Sequence, residues 1–262
     1  MAMLFPQLIK ANLQTKWMGR KIEYYQRLES TNLEAFELID EGEPADGTVV
    51  ITDLQLQGRG RRGRSWFSSP GKAVTFSVIL RPELLTERSS LLSLAAGVAV
   101  AEAVEKFGLS PALKWPNDIR LSGRKCGGIL VETRLHGRDV ACAVLGIGVN
   151  VNERVEELPE ELRTTATTLS AEKGVPLQRE LVVAWTLNRL EPLIDELNRV
   201  NSEVVRSAWL KRCDHLNQAV KLTQDGEERH GKFSGITENG SAVIETENGV
   251  ITLSGDEISL GT

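Results

Sequence analysis

Residues 58–66 read GRGRRGRSW and place four arginines and three glycines in nine positions. Glycine at this density disfavours a stable helix or strand and lets the backbone approach a ligand closely. Successive backbone N–H groups can bind an anion, and arginine side chains add planar donors that suit carboxylate and phosphate. A solvated turn whose arginines only favour solubility fits the composition equally well. Trp66 and Phe67 follow directly, and aromatic side chains at an exposed tip favour the ligand-binding interpretation.

The chain around this stretch is acidic. It carries 31 lysines and arginines against 36 aspartates and glutamates, a formal net charge of −5 over 262 residues. A dedicated nucleic-acid-binding domain is usually net basic, so the composition favours a small anionic ligand for the arginine loop, the name used below for residues 58–66. No apolar run reaches the length of a membrane span, and three scattered cysteines predict reduced thiols in a cytoplasmic protein.

Hydrophobic patterns on both sides of the arginine loop predict an α+β main domain with a mixed sheet and helices. Strands are predicted at 47–55, 73–80, 112–121, 127–135 and 139–152. Helices are predicted at 30–42, 87–108, 177–200 and 202–214. Thr31 and Glu34 have the spacing of a capping box at the start of the first of these helices. The polar stretch 153–174 is interpreted as a long connection.

The last fifty residues change character, because short alternating segments are separated by Asp225-Gly226, Asn239-Gly240 and Asn248-Gly249. Asn-Gly between alternating apolar residues indicates a hairpin, and the type I′ turn that it favours needs positive φ at both central positions. The sequence therefore predicts a small antiparallel barrel of SH3-like size that begins near residue 216.

Two further clusters accompany the arginine loop. In 114–132, a Trp-Pro-Asn-Asp turn precedes Lys125, which stands just before two glycines at the start of a strand. A lysine at such a place can meet an anionic group, although surface solvation also explains each lone lysine or asparagine. In 146–150, Gly146 and Gly148 alternate along a strand and leave one face bare, which makes room for a flat group or for tight packing.

These motifs together resemble those of biotin protein ligases. The motifs STN at 30–32, GRGRRGRSW at 58–66, KWPND at 114–118, GRKCGGILVE at 123–132 and GIGVN at 146–150 occur in that family's order and spacing. The resemblance covers about residues 17–260. It implies a catalytic domain, 1–215, similar to those of class II aminoacyl-tRNA synthetases and lipoyl ligases. It also implies a C-terminal SH3-like domain, 216–262.

The resemblance implies a two-step reaction. The carboxylate of biotin attacks the α-phosphate of ATP, with Mg²⁺, and gives biotinyl-5′-AMP and pyrophosphate. A lysine of a biotin carboxyl carrier protein domain, as in acetyl-CoA carboxylase, then takes the biotin. The acidic composition and the lack of a span-length apolar run predict no nucleic-acid or membrane partner. The resemblance also implies a possible homodimer through the catalytic domain.

Residue roles follow from the matched motifs. The resemblance assigns catalysis to Lys125, Arg59 and Arg61. It assigns biotin binding to Ser30, Thr31, Asn32, Gln55, Arg59, Gly60, Arg61, Lys125, Gly128 and Ile129. Nucleotide contacts are expected from Arg61, Arg64, Trp66, Lys114, Asn117 and Asn150. Asp118 is expected to bind the metal or to accept a hydrogen bond.

The sequence departs from the family pattern at both ends. Only some twenty residues precede the catalytic domain, too few for the N-terminal winged-helix domain of many bacterial members, so a single-function ligase is expected. Gly261 stands where some members carry an arginine that reaches the nucleotide. Two alternatives remain open: an Arg-Gly nucleic-acid binder, and a lipoyl or octanoyl transferase on the same scaffold.

Overall fold

The structure, a computed structural model, describes residues 3–224, 227–254 and 258–260. Its main domain contains a seven-stranded sheet in the order β1-β2-β3-β7-β6-β5-β4. The strands are β1 (Ile22–Tyr25), β2 (Val49–Thr52), β3 (Val74–Leu80), β4 (Ala112–Lys114), β5 (Asp118–Leu121), β6 (Arg124–His136) and β7 (Asp139–Val149). Only β1 and β2 pair in parallel; the other neighbours are antiparallel. The predicted mixed sheet is confirmed.

Helices cover both faces of this sheet. They are α1 (Pro6–Ala11), α2 (Thr31–Glu41), α3 (Ser90–Glu105), α4 (Leu169–Lys173), α5 (Arg179–Asn198) and α6 (Glu203–Leu210). The apolar α3 packs against α5 and α6 on one face and is buried along most of its length. On the other face, α2 packs over Val50, Ile79 and Val144. Because side chains alternate along a strand, residues two positions from these three share the α2 face.

The C-terminal segment forms the expected small antiparallel sheet. Five strands pair in the order β11-β10-β9-β8-β12. They are β8 (Ala219–Gln224), β9 (Glu227–Ile236), β10 (Ala242–Thr246), β11 (Gly249–Leu253) and β12 (Ile258–Leu260). The indole N–H of Trp115 donates to the carbonyl of Gly240 at 3.2 Å and joins this sheet to the main domain.

The hairpins predicted at the two Asn-Gly pairs are present, but their expected turn type is wrong. Gly240 and Gly249 have positive φ, whereas Asn239 and Asn248 do not. A type I′ turn needs two central residues with positive φ, but each of these turns has only one, its glycine. This pattern is typical of a turn followed by a bulge. The Asp225-Gly226 pair and Gly261 lie outside the described residues.

Other differences from the sequence-based prediction are local. The predicted strand 112–121 is a hairpin, because the turn around Trp115-Pro116 separates β4 from β5. A short helix, α1, occupies part of the N-terminal segment that showed no pattern. Within the described part of the chain, no helix combines the length and apolar character needed to cross a membrane.

Candidate functional site

Strand register builds the floor of the site on the α2 face of the sheet. Thr75 of β3 lies opposite Gly148 of β7, and Ser77 lies opposite Gly146. On the other side of β7, β6 continues the same face. Gly128 pairs with Gly148, Leu130 with Gly146, and Glu132 with Val144. Directly opposed residues share a face, so these positions form one continuous surface beside α2. We call it the floor: Thr75, Ser77, Gly128, Leu130, Glu132, Gly146 and Gly148.

A cavity of about 540 Å³ lies over this floor. The sixteen residues predicted for the site all line it, although they come from five separate stretches of sequence. They are Ser30, Thr31, Asn32, Gln55, Arg59, Gly60, Arg61, Arg64, Trp66, Lys114, Asn117, Asp118, Lys125, Gly128, Ile129 and Asn150. The volume is in the usual range for a small-molecule site. Their assembly in one cavity leaves the role of each residue a prediction.

The arginine loop closes on itself at its base. The amide of Trp66 donates to the carbonyl of Gly58 at 2.8 Å, and the amide of Gly60 donates to the carbonyl of Arg64 at 2.7 Å. A Cβ on Gly58 would collide with the Trp66 carbonyl, so this close approach requires glycine. The loop tip contains a 3₁₀ turn at Arg61–Gly63, in which Arg62 is left-handed at φ 56°. This single turn is interrupted by a non-helical residue and is no stable helix, in agreement with the expectation from the glycines.

Trp66 is folded back onto the floor rather than exposed at a loop tip. A Cβ on Gly148 would lie 2.5–2.8 Å from its indole ring, so the bare strand face receives this side chain. The alternating glycines predicted room for a flat group on this face. In this structure, the indole of Trp66 occupies that room. Its Nε1 is buried and has no hydrogen-bond partner. A buried unpaired donor costs free energy, which a ligand acceptor or a small rotation would relieve.

A hydrogen-bonded network lies beside Gly146. Gln55 Oε1 accepts from the Thr31 amide at 2.9 Å and from its hydroxyl at 3.2 Å. Ser77 Oγ donates to Asn32 Oδ1 at 2.6 Å and lies 2.7 Å from Thr31 Oγ1. The capping-box interpretation of Thr31 is wrong, because α2 has Ser30 as its N-cap and no side-chain capping bond. Thr31 instead turns its hydroxyl toward the cavity wall.

Glu132 connects this network to the arginine loop. Its Oε2 accepts from Asn32 Nδ2 at 2.8 Å, and its Oε1 lies 3.1 Å from Arg59 Nη2. The sequence analysis assigned no role to Glu132 or to Ser77. Strand alternation could have identified Glu132 from the sequence. It stands two positions after Leu130 and four after Gly128, and therefore lies on the same face of the strand.

The cationic part of the site is built on the end of β4, the turn after it, and the starts of β5 and β6. Lys125 forms an ion pair with Asp118, and its ammonium lies 6.0 Å from the centre of the Trp66 ring. Lys114 pairs with Asp118 in the β4–β5 ladder. Asn117 Nδ2 donates to the carbonyl of Ile129 at 2.8 Å, which fixes the turn against β6. Lysine, aspartate and asparagine are thus held on hydrogen-bonded backbone.

Comparison with known proteins decides the family. Residues 24–150 match the biotin/lipoate A/B protein ligase family, and residues 215–261 match the biotin protein ligase C-terminal domain. The bifunctional ligase/repressor BirA of Bacillus subtilis is 33% identical over 254 residues, which cover 97% of this chain and 78% of that protein. The chain belongs to the biotin protein ligase family. It is therefore a ligase.

Two further relatives match nearly end to end. The biotin–[acetyl-CoA-carboxylase] ligase of Mycobacterium tuberculosis is 31% identical over 266 residues, covering 97% of this ligase and 96% of the relative. The solved biotin protein ligase of Aquifex aeolicus, in complex with biotin and ATP, superposes with a TM-score of 0.78 at 31% identity. That match covers 92% of this chain and 100% of the other.

The connection after β7 forms a wall of the ligase's cavity that the sequence analysis missed. Leu158, Leu162 and 164–166 line the cavity. The amide of Lys125 donates to the carbonyl of Thr165 at 2.8 Å, and the amide of Thr167 donates to the carbonyl of Lys125 at 2.8 Å. No local pattern in this polar stretch indicated the contact, because it depends on long-range backbone pairing.

A buried carboxyl group lies beside the segment that leads from the arginine loop to β3. Glu153 is 1% exposed, and neither side-chain oxygen has a hydrogen bond of ordinary geometry. Burial raises the pKa of Glu153 to about 7, although nearby amides, including that of Ser69, and the charge of Lys72 act in the opposite direction. Glu153 therefore titrates near neutral pH beneath the segment that leads from the loop to β3.

Asp118 is the acidic residue in the cavity lining. Within the described ranges, no three histidine, cysteine, aspartate or glutamate side chains come together to hold a metal. Mg²⁺ is often bound by one or two carboxylates together with substrate phosphates and water. Asp118, paired with Lys125, fits a metal that enters with a nucleotide better than a permanent metal centre.

Proposed function

We propose that this ligase activates biotin with ATP to biotinyl-5′-AMP and then transfers biotin to a lysine of a biotin carboxyl carrier protein domain. The names of relatives that act on acetyl-CoA carboxylase support this acceptor class. The Aquifex aeolicus structure with biotin and ATP supports the two substrates.

The observation that carries the proposal is the separation of neutral and charged groups along the floor. The neutral side chains of Thr31, Asn32 and Gln55 line the cavity beside Gly146. The carboxylate bonded to Asn32, that of Glu132, is itself paired with Arg59, whereas the Lys125–Asp118 pair lies beside Gly128. These two parts are offset by one same-face step along the strands, which is roughly 6–7 Å. A ligand with a neutral polar head and an anionic tail, such as biotin, would satisfy both parts at once.

The first step forms one bond and breaks another. A carboxylate oxygen of biotin attacks the α-phosphorus of ATP, and the bond from that phosphorus to the bridging oxygen of pyrophosphate breaks. Two anions must approach each other, so cationic groups fixed beforehand lower the barrier. We assign this role to Lys125, Arg59 and Arg61. Lys125 would exchange its contact with Asp118 for the developing charge at the carboxyl and phosphate oxygens.

Mg²⁺, when bound with the nucleotide, would neutralise phosphate charge, and we assign its protein contact to Asp118. Arg64, Lys114, Asn117 and Asn150 are assigned to the nucleotide as donors around the same part of the cavity. Trp66 would offer its flat ring and its unpaired Nε1–H to the adenylate. The head-group contacts are assigned to Ser30, Thr31, Asn32 and Gln55, with Gly60, Gly128 and Ile129 completing the biotin pocket.

In the second step, the neutral amine of the acceptor lysine attacks the acyl carbon of the mixed anhydride. AMP leaves with the bond electrons, the amine loses a proton, and an amide remains. Until the acceptor arrives, the adenylate needs protection from water, and the arginine loop is placed at the cavity to provide it.

The decisive experiment is ATP–pyrophosphate exchange by the purified chain with biotin, with lipoate, or with neither. Exchange that requires biotin supports the adenylation step, and labelling of a carrier domain then tests transfer. Exchange with lipoate alone would move the substrate to the lipoyl class. No exchange by folded protein would overturn the proposal.

Four further expectations remain proposals. They are a cytoplasmic location, the absence of a nucleic-acid partner, a possible homodimer, and a domain boundary between residues 215 and 216. Sedimentation of the chain alone and with duplex DNA at low salt tests the second and third together.

A further inference from the structure

Glu172 of α4 lies behind the cavity and belongs to a stretch that the sequence analysis treated as connection. Its side chain is 14% exposed and accepts three hydrogen bonds. Oε1 accepts from Thr167 Oγ1 at 2.7 Å and from Arg124 Nη2 at 2.8 Å, and Oε2 accepts from Ser122 Oγ at 2.7 Å. One carboxylate thus joins the connection to the turn between β5 and β6.

The Thr167 contact leads directly to Lys125. The Thr167 amide donates to the carbonyl of Lys125, and the Lys125 amide donates to the carbonyl of Thr165, each at 2.8 Å. Both backbone groups of Lys125 are therefore bound to the segment that Glu172 holds. The carbonyl of Thr167 also accepts from Asn150 Nδ2 at 3.1 Å. Lys125 and Asn150 are consequently both hydrogen-bonded to the same segment, at Thr167.

The other two contacts act on the turn before Lys125. Arg124 lines the cavity, and its guanidinium is paired with Glu172. Ser122 occupies the left-handed region at φ 49° in the same turn. Since Ser122 and Arg124 are both bound to Glu172, the carboxylate fixes the turn from which Lys125 enters β6.

The charge of Glu172 is preserved by these partners. Burial on its own would raise the pKa of Glu172, but the hydrogen bonds from Thr167, Ser122 and Arg124 outweigh it and hold the pKa below its usual value. Glu172 is therefore ionised at neutral pH and accepts through both oxygens. Charge-assisted hydrogen bonds of this kind are stronger and more directional than neutral ones.

We propose that Glu172 is a positioning residue for the nucleotide part of the active site, which sets the backbone of Lys125 and the side chains of Asn150 and Arg124. The inference rests on the proposed adenylation function. Glu172 does not line the cavity, so it acts through these neighbours. Head-group binding by Thr31, Asn32 and Gln55 is independent of it.

The test compares Glu172→Gln with the parent chain and with Glu161→Gln, an exposed matched control in the same connection. Glu172→Gln is expected to lower kcat for biotin-dependent exchange by roughly tenfold to a hundredfold, as supporting residues commonly do. KM for ATP should rise several-fold, while KM for biotin should stay within about twofold. Glu161→Gln should leave all three unchanged. Thr167→Val removes only one hydroxyl contact and should shift the same constants less.

A purely structural role would lower the amount of active enzyme and leave both KM values unchanged. That pattern, or parent-like kinetics of folded Glu172→Gln, would overturn the inference. Calorimetric titration of ATP separates it from the proposed function. If the parent chain shows no exchange but Glu172→Gln binds ATP several-fold more weakly than the parent, the proposed adenylation function is wrong. The positioning role of Glu172 is then still supported. Equal ATP affinity in both proteins, or no ATP binding by the parent chain, overturns the positioning role.

Discussion

The floor and the arginine loop hold their residues by different means. Floor residues such as Gly128 and Gly148 are fixed by the backbone ladder of three neighbouring strands. The loop lies outside this ladder and is held by backbone bonds at its base and by side-chain contacts, which include Arg59 with Glu132 and Trp66 with Gly148. Segments with few buried contacts open at lower free energy than central strands.

This difference separates two tasks that an adenylating enzyme must combine. Reacting groups must be held within fractions of an ångström, which a strand can do. A reactive intermediate must be covered and then released, which requires a segment that moves. We expect changes at the strand-held reacting groups to affect the chemical step. Changes in the loop, or in its ion pair with Glu132, should affect retention of the adenylate.

The largest effect is expected for Lys125→Ala. Loss of a fixed charge at the reacting atoms typically costs roughly 10²–10³ in rate, so biotin-dependent exchange should fall by that factor. The variant should still fold, because Lys125 is partly exposed and its strand contacts are made by the backbone. Lys10→Ala, on exposed α1, is the control. Near-parental exchange by folded Lys125→Ala would contradict the role of this strand-held lysine in the chemical step.

Gly148→Ala tests where the floor and the loop meet. The added Cβ would lie 2.5 Å from the Trp66 ring, so the indole must move. Overpacking of this kind costs about 1–3 kcal/mol, and adenylation should fall roughly 10- to 100-fold. The loss should shrink in a Trp66→Ala background, because the clash is then absent. Equal losses in both backgrounds would show that the strand itself is disturbed.

Glu153→Gln tests the segment that leads from the loop to β3 through its pH dependence. The pKa of Glu153 in the folded protein, about 7, exceeds the ordinary glutamate value of 4.5. The folded state therefore binds the proton more tightly, and stability falls as pH rises between these two values. Glutamine does not titrate, so Glu153→Gln loses this pH dependence of stability. At about 1.4 kcal/mol per pKa unit, the unfolding free energy of Glu153→Gln relative to that of the parent should rise by about 2 kcal/mol from pH 5 to pH 8.

Urea unfolding of both proteins at the two pH values measures that change, with Glu161→Gln as a control for the loss of an exposed carboxylate. A pH-independent difference would mean that Glu153 is ionised in the native state throughout.

The smallest effect is expected for Glu132→Gln. The amide oxygen can still accept from Asn32, but the ion pair with Arg59 is lost. Partly exposed pairs contribute about 0–1 kcal/mol, so adenylate release should quicken by up to about fivefold while exchange changes little. Glu245→Gln, which breaks an exposed pair in the C-terminal sheet, is the control. A hundredfold loss of exchange would show that the contact between the loop and Glu132 contributes to the chemical step. It would contradict the proposed division of tasks between the strands and the loop.

Much of the fold followed from local pattern. The strands around the arginine loop, the buried α3 and the late hairpins were predicted because alternation and apolar periodicity are properties of a single segment. The Thr31 capping box was wrong because a local signal was overruled by a distant contact, as Thr31 turns to Gln55, 24 positions away. The type I′ turns were wrong at both Asn-Gly pairs, where one glycine alone has positive φ.

The sequence by itself determined which chemical groups this protein brings to its site, because the motif residues and the alternating glycines can be identified without coordinates. Tertiary structure decided what supports them. Glu132 reaches Asn32 across 100 positions, Ser77 reaches it across 45, and Glu172 reaches Ser122 across 50. Such pairings depend on strand register and packing between distant segments, which no local period encodes. The folded protein, and not the sequence, therefore specifies how Lys125 is held and where Trp66 lies.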